Sequence, residues 1–153
     1  MTEEQDLAQI IRQAPNSRSS LPVSKLRGVP PRVRMALKAR RISSCGQLLR
    51  AAGKAEWRAS LAELTGIDPA LLTTLVQRAD MSRIRGVGAI FGMMLEDLGI
   101  RDVQTLAVQD PAELHERLRR YNQRMRLARR SPTPEEVADW IAQARQLEPL
   151  VTY

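Results

Sequence analysis

Apolar residues recur along this chain at helical spacing. Val137, Trp140, Ile141, Ala144 and Leu147 share one face of a helix near the C-terminus. Leu118, Tyr121, Met125 and Ala128 make a narrower stripe within 116–130, and arginines fill much of the remaining circumference. Leu7, Ile10 and Ile11 predict an N-terminal helix, after which PNSRSSLP reads as a linker. No stretch alternates apolar and polar residues for long enough to predict a strand. Helix starts are marked as well. Ser44 with Gln47, Asp110 with Glu113 and Thr133 with Glu136 fit capping boxes, and Asp68 stands before a proline suited to the first helical position. The expected fold is all-α.

The pattern also repeats. KLRGVPPRVRMALKARRISSCGQLL (25–49) aligns with RIRGVGAIFGMMLEDLGIRDVQTLA (83–107), placing Gly28 against Gly86, Leu37 against Leu95, Ile42 against Ile100 and Leu48 against Leu106. Downstream, DPALLTTLVQRAD (68–80) aligns with TPEEVADWIAQAR (133–145), the extra residues of the second copy falling in its Arg-rich stretch. A duplicated helical unit that stacks on its copy is the simplest account. The expected organisation is an N-terminal helix and linker over 1–20, a first repeat over 21–80 and a second over 81–149, packed as one helical domain.

Charge changes the picture from fold to function. The chain carries +7, and residues 11–50 hold ten Lys and Arg with no Asp or Glu. A second cluster runs Arg117, Arg119, Arg120, Arg124, Arg126, Arg129 and Arg130. Segregation of this kind is the footprint of a polyanion binder. An all-Arg cluster also suits bidentate contact with phosphate. Cys45 and His115 each stand alone, which excludes an internal disulfide and the usual zinc ligand set, and suits a reducing cytoplasm. Neither a signal peptide nor a membrane span is expected.

The glycines of IRGVGAIFG (84–92) could suggest a dinucleotide-binding turn. That turn needs a preceding strand and G-x-G-x-x-G, whereas a helical pattern precedes Ile84 and the third glycine falls one place late, at Gly92. What remains is an apolar residue, a spacer, Gly86-Val87-Gly88 and a helix, a frame shared by Leu26, Gly28-Val29-Pro30 and Leu37. Here the sequence resembles the helix-hairpin-helix family. Leu64-Thr65-Gly66-Ile67, followed by Leu71, Leu72 and Leu75, is a looser version. Residues 20 to 148 are similar to a bacterial family of tandem helix-hairpin-helix proteins of unknown function. The resemblance implies paired hairpins in each repeat and a grip on the DNA backbone that does not read bases.

Elementary physics gives the same reading of the hairpin. Glycine allows a tight turn and close backbone approach. The helix it opens presents unpaired N–H groups and a positive dipole end to an anion. The second hairpin departs from the family pattern, since Ala89, Ile90, Phe91, Met93 and Met94 stand where DNA-binding members carry Lys or Arg. In the first, Pro30 has no N–H to donate. The residues expected to contact nucleic acid are Arg27, Gly28, Arg32, Arg34, Lys38, Arg83, Arg85, Gly86, Gly88, Arg117, Arg120 and Arg124. The expected partner is double-stranded DNA, or RNA, bound through phosphates. The alternative is a protein-interaction adaptor docking through the apolar second hairpin. No catalytic set, metal or cofactor is expected: Asp102 and Asp110 read as helix caps, and the chain is expected not to be an enzyme.

Overall fold

The computed structural model describes residues 21–153, so the N-terminal helix and linker expected over 1–20, with Arg12 and Arg18, lie outside the described residues. Helices account for the regular structure, and the described residues contain no strand, only an isolated bridge between Pro22 and Ser44. The chain divides into two compact units, one ending at Arg83 and including Glu148–Tyr153, the other Ile84–Leu147.

In the first unit a short 3-10 turn, Val23–Lys25, precedes α1 (Pro31–Lys38), α2 (Cys45–Ala52), α3 (Ala55–Thr65) and α4 (Pro69–Met81). The caps act as their sequence suggests. The Ser44 hydroxyl accepts from the Gln47 N–H, and the Gln47 side chain accepts in return from the Ser44 N–H, closing a capping box on α2. Asp68 accepts from the Leu71 N–H at the start of α4. Gly66 ends α3 in the left-handed conformation, φ 72°. Helix α2 packs on both α3 and α4. Their core joins Val33 and Leu37 of α1 to Leu48, Leu49, Leu72, Leu75, Val76 and Ala79. Residues 148–153 run back along this unit. The Thr152 N–H donates to the Gly53 carbonyl at 3.0 Å, and Val151 enters the core. The buried Arg58 guanidinium ties the carbonyls of Ala52, Gly53 and Thr152 together. Three charge-assisted bonds are what make burial of this cation tolerable.

The second unit holds α5 (Gly88–Asp97), α6 (Val103–Ala107), α7 (Pro111–Met125) and α8 (Pro134–Gln146). Asp102, Asp110 and Thr133 cap the last three, each accepting from the N–H three residues on. Thr133 and Glu136 complete a capping box, whereas Asp110 and Glu113 form only its first half. Helix α8 packs on α6 and α7 through Val137, Trp140, Ile141 and Ala144, all buried; Leu147 lies just beyond its end and is half-buried.

The helix expected over 116–130 stops at Met125. Arg126 turns left-handed, φ 52°, and donates its N–H to the Asn122 carbonyl at 2.7 Å. The buried Asn122 side chain then accepts from the Ala128 N–H and donates to the Ala128 carbonyl, folding the chain back. The inner face of α7 is therefore Leu114, Leu118 and Asn122. Met125 is 49% exposed, and Ala128 is not helical. An amide able to satisfy two backbone groups at once outweighs one more turn of amphipathic helix. No helix among the described residues is long and apolar enough to cross a membrane.

Candidate nucleic-acid interface

Each glycine turn opens a helix, but the two differ in what they offer. At the first, Gly28 has φ 72° and is followed by Val29, then Pro30 as cap and Pro31 as the first residue of α1. Consecutive prolines remove two donors at this helix start. At the second, Gly86 (φ 91°) and Gly88 (φ 73°) are both left-handed and exposed, and α5 begins at Gly88 with no side-chain cap. The N–H groups of Gly88, Ala89 and Ile90 have no carbonyl one turn back within the helix. The second turn thus carries the backbone donors. Space around Gly88 is open, so the cost of Gly88→Ala comes from φ alone. We expect a loss of about 1–2 kcal/mol, readable as a fall in thermal midpoint without a change in helical circular dichroism.

A clamp holds each turn from the last helix of its own unit. An Arg78 guanidinium nitrogen in α4 donates to the Arg27 carbonyl at 2.6 Å and lies where a Cβ on Gly28 would come within 2.8 Å of it. In α8, the Gln143 amide donates to the Arg85 carbonyl at 2.9 Å and accepts from the Arg85 N–H at 2.8 Å. The clamp residues were legible in one respect: Arg78 and Gln143 align in the same frame that sets Asp68 against Thr133. Their role was not, because nothing local indicates that these side chains reach a distant turn.

The charged residues separate into free and committed groups. Arg32, Arg34, Lys38, Arg40 and Arg41 are all exposed, and none makes an ion pair among the described residues. Arg32, Arg34 and Lys38 lie together on α1. Arg83, by contrast, is bound to the buried Asp80 at 2.8 Å and to the Glu148 carbonyl at 2.9 Å, its side chain only 10% exposed. Arg85 is exposed beside Gly86, its backbone held by Gln143.

The second cluster is partly neutralised. Glu116 takes Arg119 at 2.6 Å and Arg120 at 3.0 Å. The hydrogen bond from Arg119, with help from Arg120, holds the Glu116 carboxyl down at about 2. Arg117 donates to the Leu98 carbonyl at 3.2 Å, and Arg124 lies over the Tyr121 ring. Tyr121 donates to Asp97 at 2.6 Å, which raises the pKa of the phenol.

Arg130 makes a two-pronged pair with Glu136, at 2.6 and 3.1 Å, and covers the Phe91 ring, which itself packs on Trp140 with centroids 5.6 Å apart. That pair, with the Thr133 N–H, holds Glu136 at about 2, against an ordinary 4.5. A depressed carboxyl pKa stabilises the fold fully above the ordinary value and loses that contribution as pH falls towards 2. Carboxyl titration by NMR is expected to put Glu136 at about 2 in the parent and measurably higher in Arg130→Gln.

The carboxylates and the cysteine singled out in the sequence have local structural partners or lie buried. Asp102 and Asp110 are caps, Asp97 holds Tyr121, and burial pushes the Cys45 thiol up to about 11. Among the described residues no group of His, Cys, Asp and Glu could hold a metal ion.

No curated protein and no solved structure matches this chain. A family model described as Domain of unknown function (DUF4332) matches residues 27–147, a span that runs from the first glycine turn through the helix whose Gln143 clamps the second. The chain accordingly belongs to the DUF4332 family.

Proposed function

We propose that this protein is a duplicated helix-hairpin-helix module that binds double-stranded DNA through its phosphates, without reading sequence. The observation that carries the proposal is the set of exposed cations on α1, Arg32, Arg34 and Lys38, which have no acidic partner among the described residues and directly follow a glycine turn. Cations without an internal partner raise the local positive potential and can release counterions from a duplex. The Gly86–Gly88 turn supplies the complementary element, a helix start with free N–H groups. Contacts of both kinds position a protein on the backbone and carry no sequence information.

Several matched positions support duplication. Gly28 and Gly86 are left-handed, as are Arg41 and Gly99 thirteen residues after each. Ser44 and Asp102 cap the next helices, and Asp68 and Thr133 cap the clamp helices. The adaptor alternative has less to stand on. Of the apolar residues after the second turn, Met94 is fully buried, Phe91 and Met93 are half-buried, Phe91 packing between Arg130 and Trp140, and Ile90 is 46% exposed.

Mobility-shift titrations on two unrelated duplexes, and on a duplex RNA, at several salt concentrations test the proposal. Equal affinity for both DNA sequences is expected, with log K falling against log salt at a slope of about −3 or steeper. Affinity that ignores salt, or no binding at low salt, overturns the reading.

A further inference from the structure

An open surface depression of about 360 Å³ in the first unit is lined by Arg41, Ile42, Gln47, Arg50, Ala51 and Trp57. Two guanidiniums line it, and no carboxylate does. Arg50 is half-buried, and its Nε lies beneath the surface with no acceptor among the described residues, so this guanidinium keeps an unsatisfied donor. Gln47 has its Oε1 occupied by the Ser43 and Ser44 N–H groups, so the remaining capacity of its amide is as a donor. The apolar part of the wall is Ile42, Ala51 and the Trp57 indole. The Lys54 ammonium sits 4.6 Å from that ring's centroid.

Arg41 reaches the same depression from the end of α1. It is left-handed, φ 63°, at the position matched by Gly99 in the other unit. That conformation closes α1, with the Ile42 N–H donating to the Leu37 carbonyl at 2.9 Å just as the Ile100 N–H donates to the Leu95 carbonyl in the other unit. Arg41 brings a cation to the depression at a place where glycine would be at ease.

The geometry points to a binding site for a nucleoside monophosphate. Arg41 and Arg50 take the phosphate, Gln47 donates at the rim, and the base lies against Trp57. The ligand's source is either a free nucleotide or the 5′-phosphorylated end of a nucleic-acid strand. This site shares no residue with the α1 cations of the proposed duplex interface.

Calorimetric titration with adenosine 5′-monophosphate, adenosine and inorganic phosphate separates the parts. The monophosphate is expected to bind at least tenfold more tightly than either fragment and to quench tryptophan emission, with the quenching lost in Trp57→Leu. Arg41→Gly relieves the left-handed strain, so it should melt no lower than the parent while binding the monophosphate at least tenfold more weakly. Arg50→Gln should weaken binding likewise. Single strands with a 5′-phosphate or a 5′-hydroxyl assign the source: a preference for the phosphorylated end identifies a strand terminus, and binding of the free monophosphate alone identifies a nucleotide. Equal binding of nucleotide and nucleoside, no binding of the monophosphate, or undiminished binding by Arg41→Gly overturns the inference. The Arg32, Arg34 and Lys38 replacements should leave monophosphate binding intact, so failure of duplex binding is read separately.

Discussion

Replacing Arg32, Arg34 and Lys38 together by Gln is expected to weaken duplex binding about a hundredfold at physiological salt and to flatten the log K against log salt slope by about 2.7. The effect should be the same on every duplex sequence, because phosphate contacts carry no base information. Fold should be unaffected: all three side chains are exposed and make no ion pair among the described residues, so removing their charge leaves no buried partner stranded. Matched mobility-shift and circular dichroism measurements on parent and triple variant check both halves. Arg120→Gln is a useful contrast, since that guanidinium is already paired with Glu116, which keeps Arg119 when Arg120 is lost. A larger effect there than in the α1 triple variant would move the interface to α7.

The second large effect concerns stability. Trp140 is 1% exposed, stacks against Phe91 and lies with its indole nitrogen 3.5 Å from where a Cβ on Gly86 would sit. Trp140→Ala is expected to destabilise the second unit by about 3–5 kcal/mol, the combined cost of lost burial and the cavity left behind. Because a domain of this size is stable by only about 5–15 kcal/mol, chemical denaturation should show a clear shift of the midpoint. A loss below 1 kcal/mol would mean that neighbouring side chains collapse into the space. Phe91→Leu should cost far less, since Phe91 is only partly buried and the replacement retains much of its volume.

Helix starts were easy to read from sequence because a cap is a local device. Ser44, Asp68, Asp102, Asp110 and Thr133 each bond an N–H three residues on, and no distant residue is needed. The helix end at Met125 was harder. Stripe spacing predicts continuation to 130, and the competing bonds of Asn122 with Ala128 form only once the chain has turned back. Charge shows the same divide. Sequence counts Arg83, Arg119, Arg120 and Arg130 as equal to Arg32 and Arg34, although the former are spent on Asp80, Glu116 and Glu136.

The sequence by itself determined the all-helical class, the caps and the left-handed turn at Gly86 and Gly88, because hydrophobic period, side-chain capping and the missing Cβ act within a few residues. Tertiary structure decided which arginines are paired with a carboxylate, which side chains clamp the turns, and that Arg41, Arg50 and Trp57 line one depression. Those outcomes depend on Arg78 meeting Arg27 and Gln143 meeting Arg85, and on Arg41 and Trp57 reaching one depression. Such partners are far apart along the chain, and only packing brings them together.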